Sequence, residues 1–401
     1  MIKISAPYIY DACSRARLAS RITIDDNTSE VWFDVEYKYK DYLCHERSDA
    51  FVVGLLHYAM HFNHDIECEA PMGEFLYYQL VQNLIPAVCS GSSRMHRIKV
   101  VCSVDSSLLD NAGAVGTGIS CGVDSLNTLA SDSSCLLNKH KITHLTLFNV
   151  GAYGENERAN RLFEKDKKKA IEYCHEFGYN LIVSDSNIMN IIPQNHYLTS
   201  TYTCGFAILC LQKLYSIYYL ASSTTFKNYT ILENDLTDSS KYDLLSCYCF
   251  STDQIKIYTE GAELSRLEKI KRIANFEPAT RYLHVCTEES FNCCQCEKCL
   301  RTITELESIG ALHNFSRVFD LGKIERNRHL LYQKMYKLLI TKNDYRKYYK
   351  EVYPYYKSKI SVSDKLNVWW QLLKEKVKYY YWKFFIKQKE DKAKGSDSGQ
   401  R

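Results

Sequence analysis

The sequence lacks a long apolar run and a strong charge of one sign. Its 51 Lys and Arg residues against 47 Asp and Glu residues give a net charge of only +4, so no specific nucleic-acid partner is expected. The most apolar stretch, 206–221, is interrupted by Gln212 and Lys213 and predicts a buried helix rather than a membrane span. The first residues lack the continuous apolar segment of a secretory signal.

Cysteine, by contrast, is abundant, with 17 residues. Without an export signal, this abundance indicates a reducing, cytoplasmic compartment, where clustered cysteines bind metals more often than they form disulfides. The 46% hydrophobic and 24% charged composition is that of a globular protein, and 401 residues suffice for two or three domains.

The apolar pattern divides the chain into three regions. In 1–108 we expect an α+β region, with a strand over 30–43 paired with one over 20–26, helices over 48–62 and 72–89, and a strand over 97–105. Region 311–401 is rich in Tyr and Lys, and we expect it to be helical with a disordered end.

The middle region, 109–310, alternates short apolar runs with helical patterns. The expected strands are "GTGIS", "THLTLFNV", "YNLIVSDSN" and "RYLHVCT", with a charged helix over 155–177 closed by Gly178. This alternation predicts an α/β domain, in which a parallel sheet carries helices on both faces.

The stretch "SCGVDS", 120–125, follows the first of these strands. If it leads into a helix, its backbone N–H groups and the hydroxyls of Ser120 and Ser125 can hold a phosphate, and Gly122 allows close approach. Asp124 would repel a bare phosphate, but suits a Mg²⁺ ion that bridges carboxylate and phosphate. The simpler alternative is an ordinary strand–helix turn. The earlier glycines, in "GAVGTG", do not form a dinucleotide-binding fingerprint.

A second motif, "CTEESFNCCQCEKCLRT", places Cys286, Cys293, Cys296 and Cys299 at the spacing C-x6-C-x2-C-x2-C. Four thiolates at this spacing can close a tetrahedral Zn²⁺ site, and Lys298 and Arg301 can offset its negative charge. An iron–sulfur cluster and unrelated core cysteines are the alternatives. Cys294 could also take the place of Cys293 as a metal ligand.

"SCGVDS" resembles the Ser-Gly-Gly-x-Asp-Ser loop of the PP-loop ATP pyrophosphatases, with Cys121 in place of the first glycine. The resemblance implies a Rossmann-like, five-stranded parallel sheet of the adenine nucleotide alpha hydrolase type. It also implies cleavage of Mg²⁺-ATP between the α and β phosphates to adenylate a substrate oxygen. The implied site residues are Ser120, Cys121, Gly122, Val123, Asp124 and Ser125 for pyrophosphate, with Asp124 on Mg²⁺ and with Asp124 and Ser125 catalytic, and Phe148, Asn149 and Val150 near adenine.

The loop together with the cysteines resembles 7-cyano-7-deazaguanine synthase. "NCCQCEKCLRTITELESIGAL" and "STDQIKIYTEGAELSRLEKIKRIA" look closer to uncharacterised zinc-knuckle PP-loop proteins of bacterial polysaccharide or defence loci, in which glycine is usual where Cys294 stands. The resemblance implies an ATP-dependent ligase or synthase that activates a carboxylate or amide oxygen of a small molecule for attack by ammonia or an amine. Zinc, at 286–299, would hold the substrate lobe.

Cys121 leaves two other functions open. A side chain is disfavoured where φ is positive, so the chain could be a non-catalytic module that keeps the fold to bind a nucleotide or partner. A helix N-terminus lowers the pKa of a thiol, so Cys121 could instead be a sulfur-transfer nucleophile.

Other candidate residues are weaker. Arg266 and Lys269 are one turn apart and could reach a phosphate, with Ser265 capping or binding, although a solvated helix face is the simpler interpretation. His284 is a candidate acid or base, but a lone histidine is usually structural.

The stretch 364–394 is a candidate basic amphipathic helix. Nine lysines against three acidic residues over 365–394 give +6, and its apolar residues, spaced by three or four, are Leu366, Trp370, Leu373, Val377, Tyr381 and Phe384. Such a helix can lie peripherally on an anionic membrane, or dock on its own protein or on a protein partner. The oligomeric state is not predicted.

Overall fold

The computed structural model describes residues 1–154, 156–231, 238–289 and 291–386. The chain splits into two compact units, Met1–His284 and Val285–Arg401. The division into three regions stays a prediction, and the disordered end expected for the last dozen residues falls outside the described residues.

The first unit contains all the described strands and ten of the described α-helices. The strands are β1 (Ile2–Ile4), β2 (Tyr8–Ala12), β3 (Arg15–Ile24), β4 (Asn27–Glu36), β5 (Ile66–Cys68), β6 (Met72–Gly73), β7 (Val100–Val101), β8 (Val104–Asp105), β9 (Ala114–Gly118), β10 (His144–Asn149), β11 (Asn180–Ser186), β12 (Tyr215–Ala221) and β13 (Lys256–Glu260). The helices are α1 (Asp49–Phe62), α2 (Glu74–Tyr78), α3 (Ile85–Gly91), α4 (Val123–Ser133), α5 (Glu157–Phe177), α6 (Ile188–Ile191), α7 (His196–Cys210), α8 (Asp243–Phe250), α9 (Arg266–Ala274) and α10 (Glu277–Tyr282).

One large sheet organises this unit. Its strand order is β13-β12-β9-β10-β11-β4-β3-β1-β5-β7, with β2 paired to β3, while β6 and β8 form a separate two-stranded sheet. All neighbours from β13 to β11 are parallel, whereas β11–β4, β4–β3 and β3–β1 are antiparallel. The α/β class with a mostly parallel central sheet is therefore confirmed.

The N-terminal strands extend this sheet beyond its parallel part. The predicted pairing of 20–26 with 30–43 is confirmed by the β3–β4 hairpin, in which Ser20 lies opposite Val31. The strand ends at Glu36, however, and Tyr37–Tyr42 forms a 3-10 helix. The predicted strand over 97–105 is present only as the two short strands β7 and β8.

The order in which the five parallel strands are added to the sheet reverses at β9. β10 and β11 are added on one side of β9, and β12 and β13 on the other. A crevice forms at such a reversal, outside the carboxyl ends of the two central strands, and ligands of open α/β sheets bind there. Here that position lies at the ends of β9 and β12.

Two secondary-structure assignments from the sequence were wrong. Stretch 206–221 is not one buried helix, because α7 ends at Cys210 and the following Tyr- and Ile-rich segment forms the central strand β12. "RYLHVCT" is not a strand, because Pro278 helps to start α10, which takes up its first two residues. β13 supplies the fifth parallel strand instead.

The predicted helices are largely confirmed. α1 follows Ser48, and α5 ends at Gly178, whose φ of +76° closes the helix in the left-handed conformation. The start predicted for α5 at Glu155 lies outside the described residues. The helix predicted over 72–89 begins only at Glu74 and contains a π turn over Gln79–Leu84.

Helices form two groups against the parallel strands. α1, α7 and α8 share one buried apolar cluster with Tyr215 and Tyr218 of β12. α4 packs against α9 with buried residues that lie outside that cluster. Two separate clusters are the arrangement expected when helices cover both faces of one sheet.

The second unit is helical. It comprises α11 (Glu297–Ser308), α12 (Leu321–Arg326), α13 (Arg328–Ile340), α14 (Arg346–Tyr356) and α15 (Val362–Tyr381), followed by a π turn over Trp382–Ile386. Across the described part of the chain, no helix combines the length and apolar character that crossing a membrane requires.

Candidate functional site

The 120–125 loop joins the central strand β9 to helix α4. The Oγ atoms of Ser120 and Ser125 lie 3.2 Å apart, and the N–H of Gly122 donates to Oγ of Ser120 at 3.3 Å. The Ser125 hydroxyl can in turn donate to the carbonyl of Gly122 at 3.2 Å. These contacts fold the loop into a compact turn at the N-terminus of α4, the position at which helices bind anions.

Cys121 has the backbone conformation that favours glycine. Its φ is +53°, and its carbonyl accepts a hydrogen bond from the N–H of His284 at 2.8 Å. The side chain is only 2% exposed, and burial raises the pKa of its thiol to about 12. This direction is opposite to the lowered pKa that a nucleophile at a helix N-terminus would have.

Asp124 lies in the first turn of α4 and pairs with a lysine of α9. Its Oδ1 is 2.7 Å from Nζ of Lys269, which also donates to the carbonyl of Ser222. The Lys269 side chain is 3% exposed and that of Asp124 is 31% exposed. The solvated-face interpretation of Lys269 is therefore wrong, because this residue ties the ends of β9 and β12 together.

The start of α9 explains how Lys269 is held. Ser265 accepts a hydrogen bond from the N–H of Glu268, whose carboxylate accepts from the N–H of Ser265 at 2.7 Å. This capping box confirms the capping role considered for Ser265. It fixes the first turn, so that Lys269, Ile270 and Ile273 are buried.

Ser222 connects this pair to a buried carboxyl group. Its hydroxyl donates to Oδ2 of Asp243 at 2.7 Å. Burial raises the pKa of Asp243 to about 6. The hydrogen bond from Ser222 and the positive charge of Lys269 lower this pKa, but the effect of burial is larger. Neither Ser222 nor Asp243 was singled out from the sequence, since no motif surrounds them.

A second polar cluster lies beside Cys121 and was also missed. Nζ of Lys165 is 3.0 Å from Nε2 of His284 and 3.6 Å from Oδ1 of Asp166. The hydroxyl of Tyr153 donates to Oδ2 of Asp166 at 3.0 Å. His284 is therefore part of a network rather than a lone histidine.

Lys169 adds charge to this cluster. Burial lowers the pKa of Lys169, and the positive charge of Lys165 lowers it further. Both lysines act electrostatically on the thiol of Cys121, as does Asp166. Lys165 and Lys169 thus place positive charge on this side of the loop. The charged pattern of α5 gave no signal that these lysines would be half-buried.

The residues expected near adenine lie at the end of β10, next to β9. Phe148 stacks against Tyr218 and meets Phe33 edge-on. The amide of Asn149 donates to Oδ1 of Asp185 at 2.9 Å, and Val150 is buried. The structure thus places them at the same edge of the sheet as the loop, while their role stays a prediction.

The second unit brings together four thiols. The Sγ atoms of Cys286, Cys293, Cys296 and Cys299 all lie within 4.8 Å of one another. The Cys293–Cys299 and Cys286–Cys296 pairs are each 3.9 Å apart. Tetrahedral zinc with Zn–S bonds of about 2.3 Å needs sulfurs about 3.8 Å apart, so this cluster could hold zinc.

Backbone groups support the same cluster. The N–H groups of Gln295 and Cys296 point at Sγ of Cys293, at 3.4 and 3.2 Å, as expected for a turn that wraps a thiolate. Cys294 has a φ of +60°, and its Sγ contacts the carbonyl of Asn292 instead of joining the four. Cys294 thus has a backbone conformation that favours glycine. The structure gives no support to Cys294 as a ligand in place of Cys293.

Arg301, expected to offset the charge of the thiolates, contacts two residues of the second unit. Its guanidinium stacks over the ring of Tyr348, 4.4 Å from the ring centre, and lies 3.8 Å from the carboxylate of Glu297. Cys296 instead caps α11, so the positive N-terminus of that helix faces the cluster.

Comparison of this chain with protein-family models, with curated proteins and with solved structures finds no match in any of the three. Function must therefore be inferred from the geometry of the chain itself.

Proposed function

We propose that this protein is an ATP-dependent adenylating enzyme of the PP-loop type. It binds Mg²⁺-ATP at residues 120–125, transfers AMP to a carboxylate or amide oxygen of a small molecule, and releases pyrophosphate. The observation that carries this proposal is the loop between β9 and α4, which lies where the strand order reverses and has Asp124 in the first helical turn.

The strand order supports the proposal. Numbered along the parallel strands from β9 to β13, the order across the sheet is 3-2-1-4-5. This is the order of the Rossmann-like, doubly wound sheets that bind nucleotides at the reversal. A sheet of the adenine nucleotide alpha hydrolase type is therefore the fold we propose for this part of the chain.

The loop has the groups that a pyrophosphate needs. The N–H groups of Gly122 and Val123, at the start of α4, and the Ser120 and Ser125 hydroxyls would hold its oxygens. Oδ1 of Asp124 is taken by Lys269, while Oδ2 accepts no hydrogen bond from any described residue and suits a Mg²⁺ ligand. Bound there, Mg²⁺ would stabilise negative charge on the departing pyrophosphate.

The proposed reaction has two steps, adenylation of the substrate oxygen and displacement of AMP. The substrate oxygen attacks the α phosphorus, and the bond between that phosphorus and the bridging oxygen breaks, with its electron pair leaving on pyrophosphate. Ammonia or an amine then attacks the activated carbon, loses a proton and expels AMP. The chain positions the reactants and stabilises their charge. Positive potential around the phosphates would come from the N-terminus of helix α4 and from Lys269, Lys165 and Lys169.

Zinc has a structural role in this proposal. The four protein thiolates would fill the tetrahedral coordination sphere of the ion and leave no position for a reacting water. All 17 cysteines are free, which supports a reducing, cytoplasmic location. We also propose that the chain is similar in function to 7-cyano-7-deazaguanine synthase and to the zinc-knuckle PP-loop proteins.

Cys121 is the observation that favours a second function, a non-catalytic nucleotide-binding or partner-binding module. Its left-handed backbone carries a side chain where glycine is unstrained. Sulfur transfer by Cys121 is disfavoured, because the thiol is buried and its pKa is raised.

The test is release of AMP and pyrophosphate from Mg²⁺-ATP with pools of small carboxylates, amides and amines. Wild type should form both products, and Asp124→Asn should lose at least about a hundredfold in rate. The matched control is Asp132→Asn on the same helix, outside the loop. Absence of AMP with every pool, despite ATP binding, would favour the non-catalytic module.

A further inference from the structure

Helix α15 presents a continuous apolar stripe to solvent. Six residues spaced by three or four are each between 51% and 61% exposed. They are Leu366, Trp370, Leu373, Val377, Tyr381 and Phe384. Over these 19 positions the stripe is about 27 Å long at 1.5 Å per residue. Such large exposed apolar patches on soluble folds mark interaction sites.

The opposite side of α15 attaches the helix to its own unit. Asp364 is buried and accepts a hydrogen bond from the Gln333 amide at 3.0 Å, and Val368 is fully buried. Glu375 pairs with Lys337 of α13 at 2.6 Å. These contacts fix the rotation of the helix about its axis, so the stripe is held outward.

Lysines border the stripe on both sides. With 100° per residue, Lys374 and Lys378 fall on one flank, and Lys365, Lys376 and Lys383 on the other. Each flanking chain can extend along the apolar surface and place its ammonium at the level of lipid headgroups. Trp369, Trp370 and Tyr380 lie on or beside the stripe, and Trp and Tyr side chains favour the membrane interface.

We propose that α15 is a membrane-surface helix that binds an anionic lipid bilayer, with its stripe among the acyl chains and its lysines on the headgroups. Charge complementarity favours this occupant over a second copy of the chain, because two such stripes face to face would bring their lysine flanks together. The chain's own residues 387–401 contain no apolar side chain larger than alanine and offer no cover for the stripe.

The experiment is co-sedimentation of the full chain with vesicles of phosphatidylcholine containing about one-third phosphatidylserine. Wild type should bind with a partition constant of about 10⁴ M⁻¹ or more, the strength of a single myristoyl chain. Binding should weaken in high salt and on pure phosphatidylcholine. Trp fluorescence should shift to the blue on binding.

Two sets of variants separate the apolar and charged contributions. Trp370→Ala with Leu373→Ala and Val377→Ala should weaken partitioning by about a thousandfold, since each inserted large side chain contributes about a factor of ten. Lys374→Gln with Lys376→Gln should weaken it by about fivefold per charge. All five side chains are exposed, and alanine and glutamine are good helix formers, so the fold should persist.

Matched controls lie in the first unit. Leu136→Ala with Leu137→Ala removes side chains that are 92% and 63% exposed, and Lys99→Gln with Lys139→Gln removes two exposed charges. Neither control should alter vesicle binding. The proposal is overturned if wild type does not sediment with anionic vesicles, or if the triple alanine variant binds as wild type does. Oligomers that the triple variant abolishes, without vesicle binding, would assign the stripe to a protein partner.

Discussion

Oδ1 of Asp124 lies 2.7 Å from Nζ of Lys269, although 145 residues separate them in the sequence. The lysine is buried at this point and also donates to the carbonyl of Ser222. One ammonium group therefore joins the carboxyl ends of β9 and β12, the two neighbouring strands at which the strand order reverses. The pair holds Oδ1 of Asp124, while its Oδ2 accepts no hydrogen bond from any described residue.

The two partners of this pair should differ in their effect on stability. Asp124→Asn leaves a buried ammonium without its counter-charge and should lower the free energy of unfolding by about 2 kcal/mol. Lys269→Met should have the smaller effect, about 1 kcal/mol, because the Asp124 carboxylate is partly exposed and can be hydrated. Urea unfolding measures both.

The double variant supplies the control for this prediction. Asp124→Asn with Lys269→Met should be less destabilised than the sum of the single variants, with a coupling of about 1 kcal/mol or more. Additive effects, or a larger loss for Lys269→Met than for Asp124→Asn, would contradict the described pair.

Substitutions of Cys121 should follow its backbone conformation. Cys121→Val should be destabilising by about 2 kcal/mol, because a β-branched residue is strongly disfavoured at positive φ. Cys121→Gly should change stability little, since relief of strain offsets the lost buried side chain. ATP affinity in the glycine variant should equal or exceed that of wild type, measured by calorimetry.

Cys121→Ser tests the chemistry of the thiol. Because burial raises the pKa of Cys121 to about 12, the thiolate is scarce near neutral pH and the serine variant should keep its activity. Complete loss of activity in Cys121→Ser, with the fold and ATP affinity retained, would instead support thiol-dependent sulfur transfer.

The four-thiol cluster should bind one zinc ion per chain. Cys293→Ser should release zinc to a chelator that wild type resists, and should lower the melting temperature of the second unit, because binding energy at such sites is folding energy. Cys294→Gly is the matched control: it should keep zinc, with stability unchanged or raised, since glycine suits the φ of +60°. Zinc loss in Cys294→Gly would show that the ligand set is different.

Two buried groups should make the free energy of unfolding depend on pH with opposite signs. Burial lowers the pKa of His57 to about 4, so the unfolded chain binds the proton first and stability falls as pH drops from about 6.5 to about 4. Burial raises the pKa of Asp243 to about 6, so its contribution is present at low pH and is lost as pH rises from about 4 to about 6. Each shift corresponds to about 3 kcal/mol.

Differences between wild type and variant isolate these contributions. In urea unfolding across pH, the wild-type advantage over His57→Asn should shrink as pH falls below about 6.5. The wild-type advantage over Asp243→Asn should shrink as pH rises toward about 6. Differences that do not vary with pH would contradict the buried, neutral state of these groups.

The sequence predicted the local features well. The strand–loop–helix at 120–125 was predicted from its small polar residues and from the apolar spacing after them, and the four-cysteine cluster was predicted from its two-residue gaps. Gly178 marked the end of α5 for a similar reason. In each case, the determining interactions lie within a few residues of the motif.

The features that were missed depend on distant contacts. Periodicity could not show that Lys269 would be buried, because only the pairing of α9 with α4 supplies its partner. β12 was missed since its tyrosines and isoleucine suit a buried helix as well as a central strand. That β4 would pair with β11 rests on tertiary packing, which no local pattern reports.

Calorimetry with Mg²⁺-ATP tests the central claim most directly. The account predicts one site per wild-type chain, with affinity lowered at least about tenfold in Asp124→Asn and when Mg²⁺ is chelated, and unchanged in Asp132→Asn. Wild type that does not bind Mg²⁺-ATP, or Asp124→Asn that binds it equally well, would contradict the assignment of residues 120–125 as a pyrophosphate-binding loop.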